Sequence, residues 1–175
     1  MQIVTARLCL DALRKEDAAA LFEYRTDPVV ARYQGWKPAS VAEVAGFIET
    51  QRAIAPDTPG TWWQRAIRLR ETGGLIGDLG LHFLDDATVE LGISLAPAHH
   101  KQGYAREAVE VMLDFVLGGL HKQRVVALVD PHNSAGIRLL EGLGLHRADA
   151  QTAPVLFAMK AGEWLAAPTD DTDSR

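Results

Sequence analysis

One stretch, residues 88–116, restricts the fold of this chain more than any other. Apolar residues alternate strictly with small or polar ones from Thr88 to Leu95, which predicts a strand with one face in the core. From Ala105 to Val116 the apolar residues recur every three or four positions, which predicts an amphipathic helix. The basic connection between them contains Gly103. A strand, a glycine-containing loop and a helix in direct succession predict an α/β layer structure.

Strand patterns alternate with helix patterns along the rest of the chain. The predicted strands cover residues 2–10, 61–70, 75–84, 88–95, 124–129 and 153–160. The helix that begins near residue 105 ends at Gly118-Gly119. Three more helices are predicted: one that includes Tyr24, one over 41–55 that begins with the capping pattern Ser40-Val-Ala-Glu43, and one over 133–143. We expect one mixed α/β domain over residues 1–168. The last seven residues, TDDTDSR, are predicted to form an acidic, disordered tail over 169–175.

Charge and cysteine content exclude several functions. The 175 residues carry a formal net charge of −5, which argues against a nucleic-acid backbone as the main partner. The single cysteine, Cys9, cannot form an internal disulfide or a cysteine-rich zinc site. His99 and His100 are adjacent and lack the helical i, i+4 spacing of a metal pair, so we expect no metal. No run of 18 apolar residues occurs, and Arg7 and Asp11 interrupt any signal core, so we expect a cytoplasmic protein without membrane contact.

The loop between strand and helix is the first candidate for a binding site. A helix start presents unpaired N–H groups, a glycine lets a ligand approach the backbone, and Lys101 adds a positive charge. These features predict a phosphate or pyrophosphate ligand; an ordinary strand-to-helix connection, in which Gly103 only allows a turn, is the alternative. A second glycine group, Gly73-Gly74 with Gly77 and Gly80, has no following helix, so we interpret it as part of a hairpin.

Several motifs in sequence resemble those of the GCN5-related N-acetyltransferases, most of all the ribosomal-protein-alanine acetyltransferase branch. The motif segments, which extend in order over residues 5–145, are Thr5-Ala-Arg-Leu8-Cys-Leu10, Leu75-Ile-Gly77-Asp-Leu-Gly80-Leu, Glu90-Leu-Gly92-Ile-Ser-Leu95, His100-Lys-Gln-Gly103-Tyr-Ala105, Asp130-x-x-Asn133 and Leu139-Leu-Glu141-Gly-Leu-Gly144-Leu. The resemblance implies a mixed, mostly antiparallel sheet flanked by helices. It also implies that the fourth and fifth of the predicted strands splay apart.

The function implied by this resemblance is transfer of an acetyl group from acetyl-CoA to a primary amine, by direct attack within a ternary complex. The residues that would bind acetyl-CoA, most of them through backbone N–H groups, are Ile93, Ser94, Leu95, Lys101, Gln102, Gly103, Tyr104, Ala105, Arg106 and Asn133. The acceptor is either a protein N-terminus or a small-molecule amine, since related branches use each. Many relatives dimerise, so a monomer and a homodimer both stay open.

The resemblance also implies catalytic residues. Glu90 faces the splayed region by alternation, which makes it the candidate general base, with a solvated or ion-paired strand residue as the alternative. Asn133 would contact the cofactor near its thioester. Two positions depart from the family pattern: His100 replaces the usual Gln or Arg, and Gly136 stands where many relatives carry a serine, a candidate general acid. A thiol leaves readily as thiolate, so such an acid is dispensable.

Four further residues are candidates for the acceptor pocket: Tyr33, Trp36, Trp62 and His82. The aromatic residues lie in segments that shape the acceptor pocket in the superfamily, and rings of this kind stack on apolar or cationic groups. His82 shares a strand face with Asp78 and Gly80, so it would reach the same cleft. Core packing, or for His82 an ordinary hydrogen bond, is the alternative interpretation.

Two other functions are weighed against the enzyme. A non-catalytic acyl-CoA-binding sensor or accessory module would keep the loop and lose turnover; Gly136 favours it, whereas the presence of Glu90 and Asn133 argues against it. A nucleotide-binding oxidoreductase needs a glycine fingerprint directly after the first strand. Residues 10–17 contain no glycine, which excludes that fingerprint.

Overall fold

The computed structural model describes residues 1–149 and 153–166, and the predicted acidic tail at 169–175 lies outside them. Within the described residues eight strands form one sheet. They are β1 (Ile3–Val4), β2 (Leu8–Ala12), β3 (Trp62–Leu69), β4 (Leu75–Phe83), β5 (Thr88–Leu95), β6 (Arg124–Val129), β7 (His146–Asp149) and β8 (Val155–Lys160). Their order across the sheet is β1-β2-β3-β4-β5-β6-β8-β7.

Helices cover both faces of the sheet. They are α1 (Ala18–Thr26), α2 (Pro28–Ala31), α3 (Val41–Gln51), α4 (Tyr104–Leu113), α5 (Ser134–Gly142) and α6 (Ala161–Leu165). A π-helical stretch, Asp114–Gly119, continues α4 up to the two glycines predicted to end it. None of the helices in the described ranges is long and apolar enough to span a membrane.

Alternation along the central strands separates two cores. On β4, Leu79 and Leu81 are fully buried in the larger core, which includes Val109 and Met112 of α4. On the opposite face, Ala66 of β3 lies in a smaller core with residues of α1 and α3. The helix predicted from residue 105 onward therefore packs on one face, and α1 and α3 pack on the other.

The decisive feature of the sheet is the contact between β5 and β6. Every other neighbouring pair is antiparallel, but these two strands run parallel and pair only at Thr88, Val89 and Glu90 of β5. Beyond Glu90 they separate, while β5 stays paired with β4 as far as Leu95. The predicted splay is confirmed. The fourth and fifth predicted strands are β5 and β6 because the amino-terminal segment forms two strands instead of one.

The structure corrects several element boundaries. The predicted strand over 2–10 is interrupted by a turn, in which the amide of Thr5 donates to the carbonyl of Leu8 and the amide of Leu8 donates to the hydroxyl of Thr5. Helix α3 ends at Gln51, not at Ala55, because the next amides bond three residues back instead of four. Strand β7 and the short helices α2 and α6 were not predicted, since elements of four or five residues carry too little periodicity to recognise.

Candidate active site

The separation of β5 from β6 leaves backbone groups without a strand partner. The amide of Ala96 donates to the carbonyl of Ile76 on β4, so in this antiparallel pair Ser94 and Gly92 also direct their amides towards β4. Ile93 and Leu95 alternate with them and therefore direct their N–H and C=O groups to the other side, into the gap. We call Leu91–Leu95 the open edge.

Side chains cap both carbonyls of the open edge. The Nε2 of Gln34 lies 3.5 Å from the carbonyl oxygen of Ile93, and the Nε2 of His100 lies 2.8 Å from that of Leu95. The amide of His100 donates to Pro97. The ring Nε2 and the backbone amide of His100 are therefore both used inside the protein, and the residue that departs from the family motif holds the loop to the end of β5.

The glycine loop, residues 96–103, ends in a left-handed turn. Lys101 has φ 60° and Gly103 has φ 82°, and Gly103 is the N-cap of α4. In the described part of the chain, the amides of residues 101–106 have no hydrogen-bond partner. Successive free amides at a helix start suit an anion, and this is the feature on which the predicted phosphate site depends.

The open edge and the glycine loop line one cavity of about 500 Å³. The predicted residues on its wall are Tyr33, Ile93, Ser94, Leu95, Lys101, Gly103, Tyr104, Ala105, Arg106 and Asn133. Lys101, Arg106 and Arg138 give the wall positive charge, and no carboxylate side chain is among its described residues. The cavity thus suits a ligand that is elongated, partly apolar and anionic at one end.

Asn133 has a structural role at this wall. Its Oδ1 accepts a hydrogen bond from the amide of Gly136, 3.0 Å away, and so caps the first turn of α5. A Cβ at Gly136 would approach the Nδ2 of Asn133 to 2.8 Å. The residue that replaces the family's serine therefore leaves room for this capping amide.

Glu90, His82 and Trp62 form one cluster, and none of the three lines the cavity. Because His82 pairs with both Trp62 and Glu90 in the sheet register, the three side chains share a face. The Nδ1 of His82 lies 3.3 Å from the Oε2 of Glu90, and the indole of Trp62 stacks on the imidazole with centroids 4.8 Å apart. We call these residues the aromatic–acid cluster. A carboxylate on Nδ1 favours the tautomer that leaves Nε2 free to accept a proton.

Small residues connect this cluster with the open edge. Gly80 and Gly92 are register partners, and the ring of Trp62 lies over both: a Cβ at Gly80 would approach it to 2.9 Å, and one at Gly92 to 3.9 Å. Trp62 is 38% exposed, so its ring is open to an incoming molecule. Trp62 therefore covers the strand face between Glu90 and the cavity.

Three other predicted site residues, Tyr33, Trp36 and Gln102, are not part of the aromatic–acid cluster. The hydroxyl of Tyr33 donates to the carbonyl of His132, 3.2 Å away, and so bridges two walls of the cavity. Trp36 packs on Phe47 and donates through Nε1 to Glu43, away from the cavity lining. The side chain of Gln102 turns back to the carbonyl of Ala98.

A fully buried aspartate holds α1 against this face. Asp78 of β4 accepts hydrogen bonds from the hydroxyl of Tyr24 at 2.7 Å, from the guanidinium of Arg25 and from the amide of Gln64. Burial, together with the negative charge of Asp78, raises the pKa of Tyr24 well above its ordinary value. Arg25 also donates to Gln34, so this buried group positions the amide that caps Ile93.

Known proteins of similar sequence identify the family of this chain. The family described as an acetyltransferase (GNAT) domain matches residues 7–146. The chain belongs to the GNAT acetyltransferase family. An N-acetyltransferase from Bacillus licheniformis named p20, whose function is uncharacterized, is 30% identical over 148 residues, which cover 83% of this chain and 82% of that protein.

Solved structures with this fold include acetyltransferases that are named for different acceptors. A spermidine N-acetyltransferase from Vibrio cholerae, in complex with CoA and spermine, superposes with a TM-score of 0.79 at 17% identity and covers 92% of this chain and 99% of its own. A ribosomal-protein alanine acetyltransferase from Vibrio fischeri superposes with a TM-score of 0.76 at 14% identity, covering 94% and 98%. These likenesses show the fold, and the fold serves both kinds of acceptor.

Family membership confirms two predictions for this GNAT acetyltransferase. It is an acyltransferase of the acetyl-CoA-dependent N-acetyltransferase type, and its sheet has the expected open architecture. Sequence reasoning missed part of the cavity wall: Val29, Val30, Gln34, His99, Ala135, Arg138 and Leu139. Val29 and Val30 belong to the unpredicted α2, and nothing in the sequence connects Gln34 with the carbonyl that it caps.

Proposed function

We propose that this protein transfers the acetyl group of acetyl-CoA to a primary amine, which attacks the thioester carbonyl directly in a ternary complex. The observation that carries the proposal is the meeting of the open edge and the free loop amides in one cavity with a positively charged wall. Both features suit the same molecule, because CoA combines a polar amide chain with a diphosphate.

The residues present fit acetyl-CoA along the length of the cavity. The backbone N–H groups of Ile93 and Leu95, whose carbonyls are capped, would hold the pantetheine arm and the acetyl carbonyl, which would put the acetyl group at the open edge. The amides of residues 101–106, with the side chains of Lys101 and Arg106, would hold the diphosphate. Acetyl-CoA supplies the activated acetyl group, and the protein orients it and presents the amine.

Glu90 and His82 are the proposed route for the proton that the amine loses. They lie at the closed end of the gap, next to the glycine-floored strand face that Trp62 covers. Glu90 lies three residues from Ile93, roughly 10 Å along the strand, so we assign it proton transfer through His82 or a water molecule and not direct contact. Asn133 would orient the thioester end from the other wall, while its Oδ1 caps α5.

An α-amine is the proposed acceptor class. The cationic cavity wall would face the diphosphate of CoA and does not select the acceptor, so the proton that the amine must lose decides the class. An α-amine with a pKa of about 7.8 loses its proton at pH 7 for about 1 kcal/mol, whereas a lysine-like amine requires roughly 4 to 5 kcal/mol. An acceptor that is partly neutral also suits a site whose carboxylate lies outside the cavity.

The test is release of free thiol from acetyl-CoA with matched acceptors. One peptide carries a free amino terminus and no lysine; its partner has an acetylated amino terminus and one internal lysine. Spermidine and an aminoglycoside complete the panel. We expect kcat/KM for the free α-amine to exceed the others by about tenfold or more. Preference for spermidine would reject the acceptor class and keep the enzyme.

Calorimetric titration of CoA into the same preparation separates the remaining outcomes. Binding of CoA without turnover of any acceptor would favour a non-catalytic acyl-CoA-binding module, the function for which Gly136 is the sequence argument. Absence of CoA binding to folded protein would reject the proposed function altogether.

A further inference from the structure

The amino-terminal motif Thr5-Ala-Arg7 contacts the start of α4, about a hundred residues away in sequence. Three of its hydrogen bonds converge on Glu107, in the first turn of α4. Its Oε1 accepts hydrogen bonds from the hydroxyl of Thr5 at 2.5 Å and the amide of Arg7 at 2.8 Å. Its Oε2 accepts one from the Nε of Arg7 at 2.7 Å.

The guanidinium of Arg7 then reaches three consecutive residues, the last two of the glycine loop and the first of α4. Its Nη1 donates to the carbonyl of Gln102 at 2.9 Å, and its central carbon lies 4.4 Å from the ring centroid of Tyr104. Its Nη2 occupies the space beside Gly103, where a Cβ would lie 3.2 Å from it. A single side chain therefore links Glu107 to the end of the glycine loop.

These contacts decide which way a loop amide points. The carbonyl of Gln102 and the N–H of Gly103 belong to one planar trans peptide, so they point in opposite directions. Because Arg7 holds the carbonyl on its own side, the Gly103 amide faces away from Arg7. Gly103 is part of the cavity wall, and its amide has no partner within residues 1–149 and 153–166.

The loop needs such an external anchor. Lys101 and Gly103 are both left-handed, and the amides of residues 101–106 make no internal hydrogen bond in the described chain. A left-handed lysine is strained, so neighbouring contacts must hold it in place. Partial burial raises the pKa of Glu107, but the hydrogen bonds from Thr5 and Arg7 outweigh burial and bring that pKa below its ordinary value, so the anchor is charged at neutral pH.

We propose that Arg7 is a positioning residue for CoA: through the carbonyl of Gln102 and the ring of Tyr104 it fixes the loop amides that receive the diphosphate. The inference rests on the proposed function and extends it to a residue outside the cavity wall. Position 7 requires a guanidinium group. The single nitrogen of a lysine cannot bond to Glu107 and to the carbonyl of Gln102 in the same way, and lysine has no planar group to lie on Tyr104.

The experiment compares Arg7→Ala and Arg7→Lys with the matched control Arg70→Ala. Arg70 holds the same amino-terminal segment, through Nη1 to the carbonyls of Thr5 and Ala6 at 2.8 and 3.1 Å, and has no hydrogen bond to the glycine loop. Calorimetry gives the Kd for CoA, and steady-state kinetics separates the KM for acetyl-CoA from kcat. Trypsin cleavage of the free protein at the exposed Lys101 reports how firmly the loop is held.

Both Arg7 variants are expected to raise the Kd for CoA and the KM for acetyl-CoA about tenfold, with kcat at saturation within about twofold of wild type. Arg7→Ala is expected to speed trypsin cleavage after Lys101. Arg70→Ala is expected to change neither the affinity for CoA nor the rate of this cleavage. If wild type binds CoA and a folded Arg7→Ala protein binds it with the same affinity, the inference is overturned and the proposed function stands. If wild type binds no CoA, the proposed function fails, and unchanged cleavage at Lys101 in Arg7→Ala rejects the positioning role by itself.

Discussion

The two sides of the cavity are built in different ways. The proposed cofactor side, made of the open edge, the glycine loop and the start of α4, would contact its ligand mainly through backbone N–H groups. The proposed acceptor side, made of α1–α3 and the face of β4 that carries Asp78 and His82, depends on side chains that meet from distant segments, such as Asp78 with Arg25 and His82 with Glu90. A backbone surface suits a ligand common to a family, whereas a side-chain surface is free to vary with the acceptor.

The largest effect is expected on the acceptor side, at Asp78. Asp78→Asn leaves the guanidinium of Arg25 buried without its counter-charge, since Arg25 is only 7% exposed. We expect the free energy of unfolding to fall by about 3 to 5 kcal/mol, as measured by urea denaturation. Asp27→Asn is the control: Asp27 caps α2 through its side chain, and asparagine caps equally well, so stability should change by less than about 0.5 kcal/mol. If the two variants have equal free energies of unfolding, the charge of Asp78 does not stabilise this side of the molecule and the account is contradicted.

The second effect separates chemistry from cofactor binding. Glu90→Gln keeps the shape of the side chain and removes its basicity, so we expect kcat to fall about a hundredfold with the Kd for CoA unchanged. Glu49→Gln, at an exposed carboxylate paired with Arg52 on α3, should leave both quantities at the wild-type value. A Glu90→Gln enzyme with full kcat would remove the aromatic–acid cluster from the proposed proton route.

The smallest effect tests the cofactor side alone. Gly103 and Gly73 both have positive φ, at 82° and 71°, but Gly73 lies in the hairpin turn between β3 and β4. Valine at either position strains the backbone by roughly 1 to 3 kcal/mol. We expect only Gly103→Val to weaken CoA binding, by roughly tenfold, as measured by calorimetry. Equal loss of CoA affinity in Gly73→Val would mean that global destabilisation, not the loop, controls binding.

The same division decides how much the sequence could predict. Strict alternation over 88–95 and helical periodicity from residue 105 are local patterns, so the strand, the loop and the helix that form the cofactor side were predicted nearly to the residue. The splay followed from the family resemblance and is confirmed by the short β5–β6 pairing. The local patterns therefore placed Ile93 and Leu95 on the strand beside the splay and Gly103 at the start of the helix, and their contacts with CoA stay a prediction.

The acceptor side was harder to predict because its contacts are not local. Helix α2 has four residues, too few for a periodic pattern, and it brings Val29 and Val30 to the cavity. Gln34 and His100 cap carbonyls that no motif connects with them. Trp36 had the same sequence support as Tyr33, yet it packs on Phe47 instead of lining the cavity. Arg7 was recognised only as part of a strand motif, and its contact with the loop depends on the folding of β2 against α4.

The central claim is that backbone amides, and not acceptor-side side chains, receive CoA. A titration of 15N-labelled protein with CoA, followed by amide-resolved NMR, tests it directly. We predict the largest shifts at the amides of Ile93, Leu95 and residues 102–106, with the indole N–H of Trp62 and the amides of β3 nearly unchanged. Large shifts at Trp62 and His82 with a silent glycine loop would contradict the account.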